Sequence, residues 1–223
     1  MKNVLIKADL HVHSTCSDGK ASPLEIIHVA LERGLGAISV TDHDTFEGSR
    51  LAQRLASHYG ILVIPGVEVR TDQGDILLYC EKEINFPRGV EQLISKAHEE
   101  NCLVVPAHPF DVMRLGIGEL IYEYDEWDAI EVWNASSTKR ANRKALEVAR
   151  LLNKPGIASS DAHTVEEVGS AYTIVEIGDL SIGEVLEAVR KNRVKLHFGE
   201  ISLKTRLNRL VWSVERSLRK LTK

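Results

Sequence analysis

Two histidines near the start of the chain, His11 and His13, are the residues whose type and spacing most clearly indicate chemistry. They follow the apolar run 4–6 and precede the turn-forming segment 17–19, which predicts that they lie at the end of a buried strand. Side chains two residues apart on a strand point to the same side. Because two neutral imidazoles placed in this way can chelate one ion, the segment predicts a metal site.

Further predicted strand ends carry the same kinds of side chain. They add His43, Glu68, His108, Asp161 and His163, and the turn after the first strand adds Asp18. Imidazole and carboxylate ligands suit manganese, zinc or iron. The set exceeds what one ion needs, so we expect two or three divalent ions, with the two oxygens of Glu68 bridging between sites. The remaining histidines, at 28, 58, 98 and 197, are expected to have structural or surface roles.

Strand-like and helix-like segments alternate along the chain, which predicts an α/β fold. The segment 22–25 (SPLE) has the residues of a helix-starting capping box, and continuous apolar runs such as 61–64 are typical of parallel strands buried on both faces. An open doubly wound sheet and a barrel both fit this alternation. A barrel is favoured, because candidate ligands end almost every strand and no glycine-rich nucleotide-binding loop is present.

Composition limits the possible classes of protein. The chain has 223 residues, 43% of them apolar, and a formal net charge of −4, which indicates a globular protein without a general basic field for nucleic acid. It contains no apolar stretch near the roughly 18 residues of a membrane span. The three scattered cysteines, Cys16, Cys80 and Cys102, predict a reduced cytoplasmic protein without a disulfide framework.

Five segments together resemble the PHP (polymerase and histidinol phosphatase) superfamily. In order they are DLHVHSTCSDG at 9–19, VTDHD at 40–44, GVE at 66–68, AHP at 107–109 and SDAH at 160–163. The resemblance covers most of the chain. It implies a distorted (β/α)7 TIM-like barrel that holds two or three metal ions and has phosphoesterase activity.

The same resemblance implies three sets of ligands. The first is His11, His13, Glu68 and Asp161; the second is Glu68 and His108; the third is Asp18, His43 and His163. The sequence departs from the family where a histidine often follows the fifth strand, because residues 131–134 read EVWN there. We therefore expect Asn134 to be a weak ligand or to hydrogen-bond the substrate.

The leading functional prediction is a metal-dependent phosphoesterase that hydrolyses a small phosphomonoester or a nucleotide by means of a metal-bridged water. Asp161 or His163 is expected to transfer a proton to the leaving oxygen. The alternative is an exonuclease that acts on short RNA or DNA oligonucleotides. A metal hydrolase for other bonds is less favoured because Glu68, and not a lysine, stands at the bridging position, and a non-catalytic binding barrel is disfavoured by the nearly complete ligand set.

Basic residues occur in two further segments. Arg140 and Arg143 near the start of a predicted helix form either a phosphate clamp or an exposed basic turn, and Arg70 is a weaker candidate for substrate binding. We expect residues 1–199 to form the barrel and residues 200–223 a basic amphipathic helix packed on it or on a partner. Its apolar positions step by three or four: Leu203, Leu207, Leu210, Val214, Leu218 and Leu221. Binding of RNA or of a membrane surface is the weaker interpretation of this helix.

Overall fold

The structure is a computed structural model that describes residues 3–221, with the side chains of 219–221, including Leu221 of the predicted apolar series, outside the described part. Strands and helices alternate along the described chain. In order they are β1 (Val4–Val12), α1 (Pro23–Glu32), β2 (Ala37–Val40), α2 (Glu47–Ala56), β3 (Leu62–Val63), β4 (Gly66–Arg70), β5 (Asp75–Tyr79), α3 (Val90–Glu99), β6 (Leu103–Pro106), β7 (Ile130–Asn134), α4 (Lys139–Leu151), β8 (Gly156–Ser159), β9 (Tyr172–Ile177), α5 (Ile182–Arg190), β10 (Val194–His197) and α6 (Leu203–Leu221). Two short 3-10 helices, Val112–Arg114 and Gly118–Glu123, lie between β6 and β7.

The strands form three hydrogen-bonded sheets. One has five strands in the order β10-β9-β1-β2-β3, the second has β4-β5-β6, and the third pairs β7 with β8. Isolated bridges join Val12 to Ala162 and His43 to Glu68 across the gaps between sheets. The predicted α/β class is confirmed, but the hydrogen bonding of the described strands does not close into a (β/α)7 barrel.

The strand directions also differ from the prediction. β5 runs antiparallel to both β4 and β6, and β9 runs antiparallel to both β1 and β10. All five residues of β5 are buried. Burial on both faces produces a continuous apolar run whatever the direction of the neighbouring strands, so this pattern did not distinguish parallel from antiparallel pairing.

The antiparallel pairing of β5 with β6 joins two of the cysteines. Cys80 follows β5 and Cys102 precedes β6, and the register pairs Tyr79 with Leu103, so the two cysteines lie opposite each other. The structure joins them in a disulfide bond with a Cα–Cα distance of 4.3 Å. The expectation of no disulfide was therefore wrong, and Cys16 is the free thiol among the described cysteines.

Helix α1 begins as the sequence predicts. The Ser22 hydroxyl accepts a hydrogen bond from the Glu25 backbone N–H, and the Glu25 carboxylate accepts one from the Ser22 N–H at 2.8 Å. This reciprocal capping satisfies two N–H groups that a helix leaves without partners. Residues 26, 27 and 30 are buried, so α1 packs its apolar face inward.

Helix α6 lies against the end of the fold at which the predicted ligands meet. Its Trp212 indole N–H donates to the carbonyl oxygen of Asp18 at 3.1 Å, and its Arg216 forms an ion pair with the Asp18 carboxylate at 3.2 Å. No helix within residues 3–221 is both long and apolar enough to cross a bilayer.

Candidate metal centre

Strand ends position the candidate ligands. His11 lies in β1 and His13 just after it, Glu68 lies in β4, and His108 follows β6. His43 follows β2, Asp161 and His163 follow β8, and Asp18 lies in the turn between β1 and α1. The structure brings all eight predicted ligand side chains together, and their function as ligands stays a prediction.

Glu68 lies at the centre of this group. Its Oε1 is 2.9 Å from His108 Nε2, while its Oε2 is 3.3 Å from His11 Nε2 and 3.2 Å from His43 Nδ1. His13 Nε2 also lies 3.1 Å from Oε2. The two oxygens therefore face imidazoles on different sides, which is the geometry a bridging carboxylate requires.

Four groups of side chains have ligand atoms close enough to hold an ion. They are His13, Asp18, His43 and His163; His11, Glu68 and His108; His11, His13 and Asp161; and His43, Glu68 and Asp75. The groups share residues 11, 13, 43 and 68, so they form one continuous cluster. Asp75 was not predicted as a ligand, because its position at the start of β5 gave it no strand-end signal.

The donor set fits divalent cations. Two buried ring nitrogens, the Nδ1 atoms of His13 and His108, have no hydrogen-bond partner within the described structure. Nε2 of His11 and Nε2 of His13 are only 3.0 Å apart. Nitrogen and carboxylate oxygen atoms gathered at such distances match the ligand preference of zinc, manganese or iron.

Charged neighbours and burial shift the pKa values of side chains in the cluster. Burial alone would raise the pKa of the Asp161 carboxyl, but the guanidinium groups of Arg114 and Arg209 hold that pKa well below its usual range. Burial, together with the positive charges of His13 and Arg209, lowers the pKa of His163 to about 3. Asp161 is therefore an anion and His163 a neutral imidazole near pH 7, the states in which they can bind a metal ion. Burial disfavours the charged form of His13, but the Asp161 and Glu68 carboxylates raise its pKa to about 10, so a bound metal ion would have to displace its proton.

A second layer of hydrogen bonds holds the ligands from behind. Glu131 accepts a hydrogen bond from His11 Nδ1 at 3.0 Å and from the backbone N–H of His108 at 2.6 Å. The bond to Nδ1 leaves the Nε2 lone pair of His11 directed toward the cluster. Glu131 lies in the segment 131–134, where the sequence departs from the family pattern. Its role in holding His11 and His108 was not predicted from the sequence.

Asn134 also belongs to this layer. It is fully buried, and its amide nitrogen lies 3.1 Å from Glu131 Oε2 and 3.3 Å from Asp161 Oδ2. Its amide oxygen accepts hydrogen bonds from two backbone N–H groups, those of residues 136 and 137. All of its polar atoms are engaged within the protein, so contact with substrate does not fit its position.

Backbone conformation at two ligands is unusual. His108 has φ 30° and Asp161 has φ 51°, both in the left-handed region that favours glycine. Each aims its side chain at the cluster despite this cost. By contrast, Gly19 is required by space, because a Cβ there would lie 2.3 Å from the carbonyl oxygen of His13.

The cluster forms the floor of a cavity of about 360 Å³, and four arginines line this cavity: Arg70, Arg114, Arg209 and Arg216. Arg114 donates to Asp161 Oδ2 at 2.5 Å, and Arg209 donates to His163 Nδ1 at 2.8 Å. Only Arg70 was a candidate from the sequence. The others come from the first 3-10 helix and from α6, which carry no motif.

The two residues of the predicted phosphate clamp lie away from the cavity. Arg140 and Arg143 are exposed on α4 and are not among the residues that line the cavity. The N-terminus of α4 is capped by its own Thr138 side chain, which accepts from the Ala141 N–H. Of the two alternatives for this segment, the exposed basic turn describes its place in the structure.

Comparisons with known proteins agree with these motifs. The sequence matches the PHP domain over residues 9–129 and a PHP-associated region over residues 139–194. An uncharacterized protein of Methanocaldococcus jannaschii is 31% identical over 144 residues, which cover 58% of this chain and 82% of that protein.

A 5'-3' exoribonuclease of Haemophilus influenzae is 46% identical over 66 residues, which cover 30% of this chain but only 24% of that enzyme. In structure, the chain is similar to a two-domain Bacteroides vulgatus protein that contains a predicted PHP-like metal-dependent phosphoesterase. The TM-score is 0.72 and the sequence identity 21%, and the match covers 88% of this chain and 66% of that one. The PHP domain match covers more than half of the sequence and includes the first four motif segments, and the fifth, at 160–163, lies within the PHP-associated region. The chain therefore belongs to the PHP family of metal-dependent phosphoesterases.

Proposed function

We propose that the cavity hydrolyses the phosphate ester of a small phosphomonoester or nucleotide, with two or three manganese, zinc or iron ions held by the predicted ligands. The observation that carries the proposal is the position of a dense imidazole and carboxylate cluster on the floor of a cavity whose walls are lined by arginines. When bound, divalent ions supply a nucleophile at neutral pH and neutralise phosphoryl charge.

The arginines give the cavity its preference for an anion. Arg114 and Arg209 approach from different elements, and both reach Asp161. Guanidinium groups bind phosphate oxygens with two parallel hydrogen bonds. We assign Arg114, Arg209 and Arg216 to the binding of the phosphoryl group, in place of Arg140 and Arg143.

Neither of the two predicted proton donors has a proton to give near pH 7, because the pKa of the Asp161 carboxyl lies well below its usual range and the pKa of His163 is lowered to about 3. Two guanidinium groups keep the Asp161 carboxylate charged, so it has no proton to give. His163 is more exposed to the cavity, with 12% of its side chain accessible against 1% for Asp161. Its Nδ1 accepts a hydrogen bond from Arg209, which leaves Nε2 facing the Asp18 carboxylate at 3.3 Å.

The dimensions of the cavity favour a ligand of nucleotide size. A volume of about 360 Å³ lies within the range of small-molecule sites, and Trp212 and Met113 add apolar surface to its wall. Such surface suits a base or another flat group beside the phosphate. The same features favour the second candidate, cleavage at the end of a short oligonucleotide, which is the activity for which the Haemophilus influenzae exoribonuclease is named.

The proposal is tested with purified protein by metal analysis and by hydrolysis of p-nitrophenyl phosphate with and without manganese. We expect His11→Ala, Glu68→Ala and Asp161→Asn to lose both bound metal and activity. His98→Ala is the matched control, because His98 pairs with Asp128 outside the cavity and should retain both. Full activity in the three site variants would exclude the proposed chemistry.

A second experiment distinguishes between the two candidate substrate classes and tests which arginines bind the phosphoryl group. A panel of nucleoside monophosphates and bisphosphates is compared with 5'-phosphorylated RNA and DNA oligonucleotides. Arg209→Ala is expected to raise KM about 10- to 100-fold, the value of one charge-assisted hydrogen bond. Arg140→Ala and Arg143→Ala should leave KM unchanged. If these two variants raised KM and Arg209→Ala did not, Arg140 and Arg143 would be the phosphate-binding residues.

A further inference from the structure

Glu167 is a fully buried carboxylate beside the candidate metal centre, and it has no role in the site as described so far. It lies four residues after His163 and belongs to none of the four ligand groups named above. Burial of a carboxylate is costly unless its oxygens have partners. The partners of its two oxygens therefore indicate what Glu167 does in this position.

The Oε2 atom of Glu167 holds the turn that carries His163. It accepts a hydrogen bond from the backbone N–H of His163 at 2.5 Å and another from the backbone N–H of Thr164 at 3.1 Å. The backbone N–H of Glu167 donates to the carbonyl oxygen of Thr164, also at 3.1 Å. These bonds close the turn 163–167 and fix the backbone from which the His163 side chain extends.

The Oε1 atom of Glu167 faces α6. It has no hydrogen-bond partner within the described structure, and Nη1 of Arg209 lies 3.7 Å from it. Nη2 of the same guanidinium group donates to Nδ1 of His163 and lies 3.6 Å from Asp161 Oδ1. Two carboxylates on different sides, those of Asp161 and Glu167, therefore balance the charge of Arg209.

These two carboxylates differ in what else they bind. Asp161 is a predicted metal ligand, so a bound ion would share its negative charge. Glu167 is not a predicted ligand, and its described ion pair is with Arg209. Glu167 is therefore the carboxylate whose attraction for Arg209 does not depend on how the ligand groups are occupied.

Polar contacts matter for Arg209 because apolar packing does not hold its helix. No residue from 203 to 218 is buried, and the apolar side chains at 203, 207, 210, 211, 214 and 218 are each more than half exposed. The Arg209 side chain itself is only 13% exposed. Its direction is therefore set by the groups that its guanidinium contacts, and Glu167 is one of them.

We propose that Glu167 is a positioning residue whose two oxygens have separate tasks. Oε2 holds the turn of the predicted ligand His163, and Oε1 holds Arg209 in the direction in which it binds the phosphoryl group. This inference rests on the proposed function, which assigns Arg209 to phosphate. It adds that the hydrogen bonds of Glu167 act on metal affinity, while its charge acts on phosphate affinity through Arg209.

Glu167→Gln separates the two tasks. The amide oxygen can accept the two backbone hydrogen bonds, and the NH2 group then faces Arg209, since the opposite orientation would point NH2 at two N–H donors. We expect unchanged Mn²⁺ affinity and a dissociation constant for inorganic phosphate that rises about 3- to 10-fold in the Mn²⁺-loaded protein. Glu167→Ala should also lower Mn²⁺ affinity by about 10-fold. Isothermal titration measures both affinities, and urea unfolding checks that each variant is folded.

A double-mutant cycle distinguishes positioning from a general structural effect. In an Arg209→Ala background, Glu167→Gln should cause no further change in phosphate affinity, because the group through which it acts is absent. Glu184→Gln is the matched control. Glu184 also accepts a hydrogen bond from a backbone N–H, that of Gly178, and pairs with Arg193 at 3.2 Å, but it does not line the cavity. This variant should change neither affinity.

Three results would overturn the inference. They are unchanged phosphate affinity in Glu167→Gln, an equal loss with and without Arg209, and tighter phosphate binding, which would show that Glu167 holds Arg209 away from the anion. Each of these leaves the proposed function standing. A wild-type protein that binds neither Mn²⁺ nor phosphate would instead overturn the proposed function, and this inference with it.

Discussion

Glu131 offers a sharp test of how the hydrogen bonds behind the candidate metal centre control it. Each of its carboxylate oxygens accepts two hydrogen bonds. Oε1 accepts from His11 Nδ1 and the Ser159 hydroxyl, and Oε2 accepts from the His108 N–H and the Asn134 amide. All four partners are donors as placed. Glu131→Gln keeps the shape of the side chain but replaces one acceptor oxygen with an NH2 group.

In either orientation of the glutamine side chain, its NH2 group faces hydrogen-bond donors and no acceptor. If its nitrogen points to His108, a backbone N–H that cannot change its role loses its acceptor. If it points to His11, Nδ1 must give up its proton, and the proton moves to Nε2, where it blocks the lone pair directed at the cluster. We therefore expect a loss of about 1–3 kcal/mol of stability for the unsatisfied group.

The larger effect should be on metal binding. Loss of a carboxylate that orients a histidine ligand costs about 10- to 100-fold in metal affinity, or about 1.4–2.7 kcal/mol. Isothermal titration with Mn²⁺ measures this directly, and urea unfolding of the metal-free protein measures the stability loss separately. The activity of the variant should recover at saturating metal, because the ligands themselves remain.

Asp128→Asn is the matched control. Asp128 also accepts several hydrogen bonds, from His98, Arg190 and the Val104 N–H, but it does not line the cavity. This variant should lose stability and keep its metal affinity. Unchanged metal affinity in Glu131→Gln, or an equal loss in Asp128→Asn, would refute the supporting position assigned to Glu131.

Three further predictions concern the fold and the site. Adding Mn²⁺ at 100 times its dissociation constant should stabilise the protein by about 2.7 kcal/mol, measured as a rise in Tm that Glu68→Ala abolishes. Trp127→Ala should cost about 3–5 kcal/mol in urea unfolding, since Trp127 is 1% exposed and its indole N–H bonds the Ile121 carbonyl oxygen; a loss below 1 kcal/mol would contradict this packing. Reduction of the Cys80–Cys102 bond, which spans 22 residues, should cost about 3 kcal/mol, and equal stability with and without reductant would show that the bond does not form.

The candidate ligands could be predicted from the sequence because each has a local signal. His11 and His13 share one side of a strand, and Glu68, His108 and Asp161 each lie in or directly after an apolar run. Such runs indicate buried strands, and polar groups at their ends collect at one edge of a parallel arrangement. Short-range patterns therefore sufficed for this part of the site.

The arginines had no such signal. Arg209 and Arg216 lie in a basic helix more than forty residues beyond the last motif, and Arg114 lies in a three-residue 3-10 helix. Their approach to Asp161 and Asp18 depends on how these segments pack, which no local spacing encodes. Arg140 and Arg143 were predicted to bind phosphate because they follow a strand end, yet their side chains are exposed to solvent.

Strand direction limited the prediction of the fold. Knowledge that β5 and β6 are antiparallel would have placed Cys80 opposite Cys102 and predicted the disulfide. The cysteines were expected to be reduced because they are three in number and scattered along the chain, and neither property reveals which strands lie side by side. The same error in direction produced the expectation of a closed barrel.

The left-handed backbone at His108 and Asp161 has a consequence for how this protein can change. Holding a non-glycine residue in that region costs on the order of 1–3 kcal/mol, which glycine would largely avoid. A variant library screened only for thermal tolerance should thus accumulate glycine or asparagine at positions 108 and 161 and lose ligands in doing so. Durability and catalysis make opposing demands on these two positions.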